Sequence, residues 1–282
     1  MSHESETRIF DNHMHLTPTG QGAEAAKIFE KAGGTALVLT HLPPRGKPVS
    51  SSKDYKQAFE ATLDLAQNVR GVTKLKVYVA LGPYPVELLH LSESIGLEKS
   101  VEIQKDAMDM AGRYASEGKV IALGEIGRPH FPVDKAVIEA CNEVLLHGMK
   151  VAKEVGCAVV LHTEVPDATI MEELAKMADT VGLRREKVVK HYCPPLVRKE
   201  DNHGLMPSIV AREDAILKAI EQGSRFFMET DYLDDPRRPG AVLGPATIPK
   251  KTVSMIRDGK LSVDAAREIH EEWPRRIYGI ET

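Results

Sequence analysis

The chain has 282 residues, 42% of them hydrophobic and 28% charged, with aromatics at only 5%. That is an ordinary globular balance with a mostly aliphatic core. Lys and Arg number 37 against 41 Asp and Glu, a net charge of −4, so no global basic field exists to attract nucleic acid or an anionic membrane.

In chain order, the first strand is expected over Arg8–His15 and the second over Thr35–Leu42. An apolar stripe of Phe59, Leu63, Ala66 and Val69 marks a helix leading to a third strand, Lys76–Leu81. The fourth strand is Val120–Ile126. A long helix carrying Val137, Cys141, Val144, Leu145, Val151 and Val155 precedes the fifth, Ala158–His162. A helix carrying Ile170, Leu174, Met177 and Val181 precedes the sixth, Val188–Tyr192. Ser208–Ala211 and Arg225–Asp231 complete the series. Gly33, Gly118, Gly156, Gly182 and Gly223 read as helix stops, each just before a strand.

Runs such as Ala-Leu-Val-Leu and Ala-Val-Val-Leu suit parallel strands buried on both faces. Eight strands alternating with helices predict a single α/β domain over residues 1–282, a (β/α)8 TIM-like barrel. An open doubly wound sheet is the alternative, but no Gly-rich fingerprint follows the first strand. The loop Asp234–Thr252 is long and rich in Pro, Gly and Arg, the mark of a functional or disordered segment. No run approaches the ~18 apolar residues of a membrane span, and the start Met-Ser-His-Glu-Ser-Glu lacks the basic and apolar parts of a secretion signal. Cys141, Cys157 and Cys193 form no CxxC pair, and an odd count opposes a disulfide framework. A reduced, cytoplasmic protein with no membrane partner is expected.

Chemistry concentrates at the strand ends. The first strand closes on Asp11-Asn12-His13-Met14-His15, where alternation sends His13 and His15 to one side. The fourth ends Gly124-Glu125-Ile126-Gly127, the fifth at His162, the sixth at His191, and the eighth Glu229-Thr230-Asp231. In a barrel these C-terminal ends converge on one mouth. Four histidines and two carboxylates sharing a site suffice for two divalent metals with Glu125 between them. A lone His or Asp at a strand end is more often a hydrogen-bonded cap; five strand ends doing this together are harder to explain so.

These motifs, from Asp-Asn-His-Met-His through Gly-Glu-Ile-Gly and the two later histidines to Glu-Thr-Asp, resemble the TatD-like metal-dependent hydrolases of the amidohydrolase superfamily. The ending Trp273-Pro274-Arg275-Arg276-Ile277-Tyr278-Gly279 fits the family's last helix. The resemblance implies a binuclear centre in which His13, His15 and Asp231 bind one metal, His162 and His191 the other, and Glu125 bridges. Zinc suits this mixed set first, with manganese, nickel, iron or magnesium as alternatives. Asp231 is expected to act as the general base toward a metal-activated water, and the expected reaction is phosphoester hydrolysis, with single-stranded DNA as one substrate. A small lactone, amide or phosphotriester is the alternative substrate.

Three departures bear on that choice. Arg128-Pro129-His130 stands where Leu-Asp is common, Thr163-Glu164 where Ser-Arg is common, and Tyr232-Leu233 where a small residue and Pro are common. Losing an arginine beside His162 and gaining Glu164 disfavours a polyanion. Arg198, Lys199, Arg237 and Arg238, expected in mouth-side loops, are candidates to grip phosphates. His41, at the end of the second strand, is a candidate substrate contact, and so to a lesser degree are His130 and His203. Cys193 is expected to be a buried, inert thiol. His90, His147 and His270 fall on helix patterns and read as surface groups. Oligomeric state is left open.

Overall fold

The computed structural model describes residues 7–43, 46, 49–235, 237–238 and 242–282. Strands and helices alternate: β1 Phe10–His15, α1 Ala23–Lys31, β2 Ala36–Thr40, α2 Ser52–Val72, β3 Lys76–Leu81, α3 Glu87–Ile95, α4 Leu97–Ser116, β4 Ala122–Gly127, α5 Lys135–Val155, β5 Ala158–His162, α6 Ala168–Val181 and β6 Val188–Lys190. Then follow α7 Lys199–Asn202, β7 Met206–Val210, α8 Glu213–Ile220, β8 Phe227–Glu229, β9 Tyr232–Leu233, α9 Thr247–Arg257, α10 Val263–Arg267 and α11 Trp273–Tyr278. Part of the expected long loop is therefore the first turns of α9. Residues 236 and 239–241 of that loop lie outside the described residues.

The strands are parallel and pair in the order β8-β7-β6-β5-β4-β3-β2-β1-β9. β8 also packs against β1. β9 continues strand eight after a break at Thr230-Asp231 and pairs with β1 through Met14–Tyr232 and His15–Leu233. The eighth strand is thus in two pieces, not the unbroken Arg225–Asp231 expected. The sheet closes on itself as the TIM-type (β/α)8 barrel. Gly156 and Gly182 cap α5 and α6 in the left-handed conformation that glycine adopts without steric cost.

β1, β2 and β4 are buried along their whole length, as strands between a filled interior and a helix layer must be. The lower interior is packed with Phe10, Ala36, Val38, Ala80, Val160 and Phe227. α11 plugs this end: Tyr278 stacks on Phe227 at 5.3 Å, and its hydroxyl donates to Asn12 Oδ1 at 2.8 Å. Among the described residues no helix is long and apolar enough to cross a membrane.

One histidine departs from the surface position its helical pattern suggested. His270 sits in a π-helical turn, Glu268–Glu272, and is fully buried. Its Nδ1 lies 3.2 Å from both the N–H and the carbonyl oxygen of Phe10, and its Nε2 lies 3.1 Å from the Thr252 hydroxyl. Helical periodicity alone suggests a solvated face there, whereas the turn is pressed against the start of β1. His147 stays near the surface, paired with Asp109 at 2.7 Å, and His90 is exposed.

Burial pushes the His270 pKa down to about 4, against the opposing pull of the Phe10 carbonyl. The unfolded chain takes up this proton near the ordinary value of 6.5 and the folded chain only near 4. Between those values the unfolded state binds more protons, so stability is full above pH 6.5 and falls as the pH drops toward 4. Urea unfolding of H270Q should show a shallower pH dependence in this window, by up to about 1.4 kcal/mol per pH unit. An unchanged slope would mean that His270 is not the proton acceptor described.

Candidate metal centre

At the C-terminal mouth of the barrel the five strand ends deliver their side chains to one point. The Nε2 atoms of His13 and His15 lie 3.1 Å apart. Glu125 Oε1 is 3.4 Å from His13 Nε2, 3.2 Å from His162 Nδ1 and 3.1 Å from His191 Nε2. Its Oε2 is 3.7 Å from His15 Nε2. Asp231 Oδ1 stands 3.8 Å from His15 Nε2 and 4.0 Å from both His13 Nε2 and His191 Nε2. The sequence-expected donors His13, His15, Glu125, His162, His191 and Asp231 are therefore all brought together.

Local backbone irregularities make this possible. The register of β1 against β2 shifts between Asp11 and Met14. That bulge lets Asn12 and His13, neighbours in sequence, both face the interior: Asn12 bonds Ser208 and Tyr278 below, and His13 meets Glu125 above. A second shift in β4, between Gly124 and Ile126 against β5, sits at Glu125. Its flanking glycines leave no room for a side chain. A Cβ on Gly124 would lie 2.6 Å from the Val160 Cβ, and one on Gly127 would lie 2.1 Å from the His162 carbonyl oxygen. Asp231 occupies the break between β8 and β9 with φ of +49°, a left-handed conformation uncommon outside glycine.

A layer of buried polar groups holds these donors. Asp11 accepts from the Thr230 N–H at 3.1 Å, the Thr230 hydroxyl at 2.6 Å and the His13 N–H at 3.1 Å. It thereby fixes the turn before Asp231 and the strand under His13 together. Burial raises the Asp11 pKa to about 7, opposed chiefly by the Thr230 hydrogen bond. His15 Nδ1 lies 3.1 Å from the Thr40 carbonyl oxygen. A carbonyl only accepts, so Nδ1 carries the proton and the Nε2 lone pair faces the cluster. Glu229 Oε1 lies 2.9 Å from His191 Nδ1 and accepts from the Tyr192 N–H at 2.8 Å. Asp11 and Glu229 were visible only as parts of the Asp-Asn-His-Met-His and Glu-Thr-Asp motifs; their supporting role needs the fold.

This donor set fits divalent cations. Two imidazole nitrogens bonded to one tetrahedral ion lie about 3.3 Å apart, close to the 3.1 Å between His13 and His15. His13, His15 and Asp231 form one group whose donor atoms lie within 4.8 Å of one another, and Glu125, His162 and His191 form another. Burial, and after it neighbouring His191, holds His13 well below the usual histidine range; burial does the same to His191. Both offer neutral nitrogens. Burial opposes ionisation of Glu125, but His191, His162 and His13 together hold its pKa well below the carboxylate range. Burial, then Glu229 and Glu125, drives Asp231 well above that range.

Above the donors opens a cavity of about 750 Å³. Its floor is His15, Glu125, His162, His191 and Asp231; Leu42, Val49, Val86, Leu233 and Val242 make an apolar wall. Of the sequence-expected substrate contacts, Arg237 and Arg238 line the cavity. Arg198 and Lys199 do not: they are solvated at the start of α7. His41 is also not part of the wall. It is buried behind it, with Nδ1 2.8 Å from the Thr62 hydroxyl and its ring edge-on to Phe59. Burial pushes its pKa down to about 3. Tyr84 and Glu87 line the cavity without any signal in the sequence pattern, and His130 lines it as well. Cys193 is buried, its thiol pushed up to about 12 by burial.

Two of the unusual residues explain each other. The Arg128 guanidinium, 3% exposed, donates to Glu164 at 3.0 Å, Glu173 at 2.6 Å and Asn142 at 2.6 Å. Glu164 is therefore paired with Arg128, which it shares with Glu173, and is not a free anion at the mouth. R128M should lower stability by about 2 kcal/mol, less than for a fully buried pair because both glutamates regain water. A double-mutant cycle with E164Q in urea should return a coupling of about 1 kcal/mol. Zero coupling would show that the two substitutions are unrelated.

The sequence pattern of the TatD related DNase family matches residues 10–279. An uncharacterized protein of Methanocaldococcus jannaschii is 36% identical over 282 residues, covering 97% of this chain and 96% of its own. Among solved structures, the TatD homolog YJJV of Escherichia coli superposes with a TM-score of 0.65 at 19% identity, over 97% of this chain and 99% of its own. The phosphotriesterase homology protein of Escherichia coli, solved with phosphate in its active site, gives a TM-score of 0.65 at 12% identity, over 97% and 99%. At these identities the two structures speak for the hydrolase fold. The family match and the archaeal relative go further: the chain belongs to the TatD related DNase family.

Proposed function

We propose that the protein is a metal-dependent hydrolase in which activated water attacks a phosphoester, with single-stranded DNA as one substrate. The observation that carries this reading is the convergence of four imidazoles and two carboxylates, at 3.1 to 4.0 Å, on the floor of an open cavity. His13, His15 and Asp231 would hold one divalent ion, His162 and His191 a second, and Glu125 both, with zinc first and manganese, nickel, iron or magnesium as alternatives. Ions held there would supply Lewis-acid activation of water and of the substrate's phosphoryl oxygen.

Asp231 is the general base in this reading: a cation held beside it would offset the burial and the neighbouring carboxylates that otherwise raise its pKa, and so keep it ionised. It reaches the cavity floor, unlike Asp11 and Glu229, whose carboxylates are fully buried and engaged below. Its left-handed turn is fixed by the Asp11–Thr230 hydrogen bonds, so its carboxylate stays aimed at the His13–His15 pair on the cavity floor. It takes the proton from water as the phosphorus–oxygen bond forms and returns it to the departing oxygen. Arg237 and Arg238 on the cavity wall supply positive charge for an anionic ester. The phosphate held by the Escherichia coli phosphotriesterase homology protein supports the same substrate class.

The apolar wall of Leu42, Val49, Val86 and Leu233 favours a second reading, the same chemistry on a small lactone, amide or phosphotriester. A panel of single-stranded DNA, bis(4-nitrophenyl) phosphate and small lactones separates the two. Salt-sensitive cleavage of the DNA supports the first; turnover of lactones with intact DNA supports the second. On whichever substrate turns over, D231N should lower kcat about a thousandfold while leaving the circular dichroism spectrum and melting temperature near those of the parent. Full activity in D231N would remove Asp231 from the role of base.

A further inference from the structure

His162 is hydrogen-bonded at both ends of its ring. Its Nδ1 lies 3.2 Å from Glu125 Oε1, inside the donor cluster. Its Nε2 lies 3.0 Å from His130 Nδ1 and 3.4 Å from the Tyr84 hydroxyl. His130, between β4 and α5, is exposed and lines the cavity. Its ring meets His162 edge-on at 5.2 Å and is braced by Phe131, also at 5.2 Å. His130 Nε2 has no hydrogen-bond partner among the described residues.

A neutral imidazole carries one ring proton. When His162 offers the Nδ1 lone pair to an ion, its proton must sit on Nε2. That N–H donates to His130 Nδ1, the nearer of its two acceptors. His130 Nδ1 is then an acceptor, so the single proton of His130 is placed on Nε2, the nitrogen left without a protein partner. The donor cluster thus dictates which way a histidine outside it presents its hydrogen.

We infer that His130 is a substrate-positioning residue whose Nε2–H, oriented through His162, donates a hydrogen bond to an oxygen of the bound phosphoester. This rests on the metal-dependent phosphoester reading above. The imidazole stays neutral, and only hydrogen bonds are made or broken.

The test uses zinc-loaded full-length protein labelled with ¹⁵N-histidine. Ring-nitrogen correlation spectra, with the His130 signals assigned through H130Q, should show protonated Nε2 and unprotonated Nδ1. Calorimetry with inorganic phosphate should give about tenfold weaker binding for H130F, the loss of one neutral hydrogen bond. H130Q, which keeps an N–H donor, should stay within about threefold of the parent. Zinc content should be equal in all three. A proton on Nδ1 of His130 in the zinc-loaded protein, or unchanged phosphate binding in H130F, overturns the inference. Failure of the parent to take up zinc overturns the metal reading beneath it, and zinc uptake without phosphate binding overturns the phosphoester reading; either removes this inference too and is recognisable as such.

Discussion

Much of the architecture at the mouth of this barrel follows from one constraint: a carboxylate 3% exposed must face three imidazoles from three other strands. Placing Glu125 at that spot needs a bulge in β4, and the bulge needs glycine on either side because β5 leaves no space for a Cβ. Burying so many ionisable groups is costly unless they are paired, hydrogen-bonded or ligating. Burial keeps the His13 and His191 imidazoles neutral, and the outer nitrogen of His15 is tied to the Thr40 carbonyl, which leaves its Nε2 lone pair facing the cluster.

The same logic explains the polar layer beneath the donors. Asp11 joins β1 to the Thr230-Asp231 turn, and Glu229 joins β8 to the start of the loop after β6. Asn12 bridges Ser208 and Tyr278, so the plug formed by α11 is linked by hydrogen bonds to the strand that carries His13 and His15. His270 fastens the other end of the same strand. Core packing at the bottom of the barrel and donor placement at the top are thus coupled through β1, which has a bulge where its side chains change from structural to functional duties.

Much of this was legible in the residues. Near-continuous apolar runs alternating with helical stripes carried the barrel, because both patterns are local. The donors were legible because each stands where an apolar run gives way to loop. What the sequence withheld depends on tertiary contact. The division of strand eight at Asp231 is set by hydrogen bonds from Thr230 to Asp11, far away in the chain. His270 reads as surface from its helix but lies against β1. Glu164 reads as a repulsive charge until Arg128 is found beside it. Arg198 and Lys199 share the composition of phosphate-binding loops, but their helix turns them into solvent.

The central claim is that Glu125 joins two cation sites. Metal analysis of purified protein after zinc loading and desalting tests it most directly. The account predicts two ions per chain in the parent and a loss of at least one in E125Q, with the fold retained by circular dichroism. Equal metal content in the two proteins, or none in the parent, would contradict it.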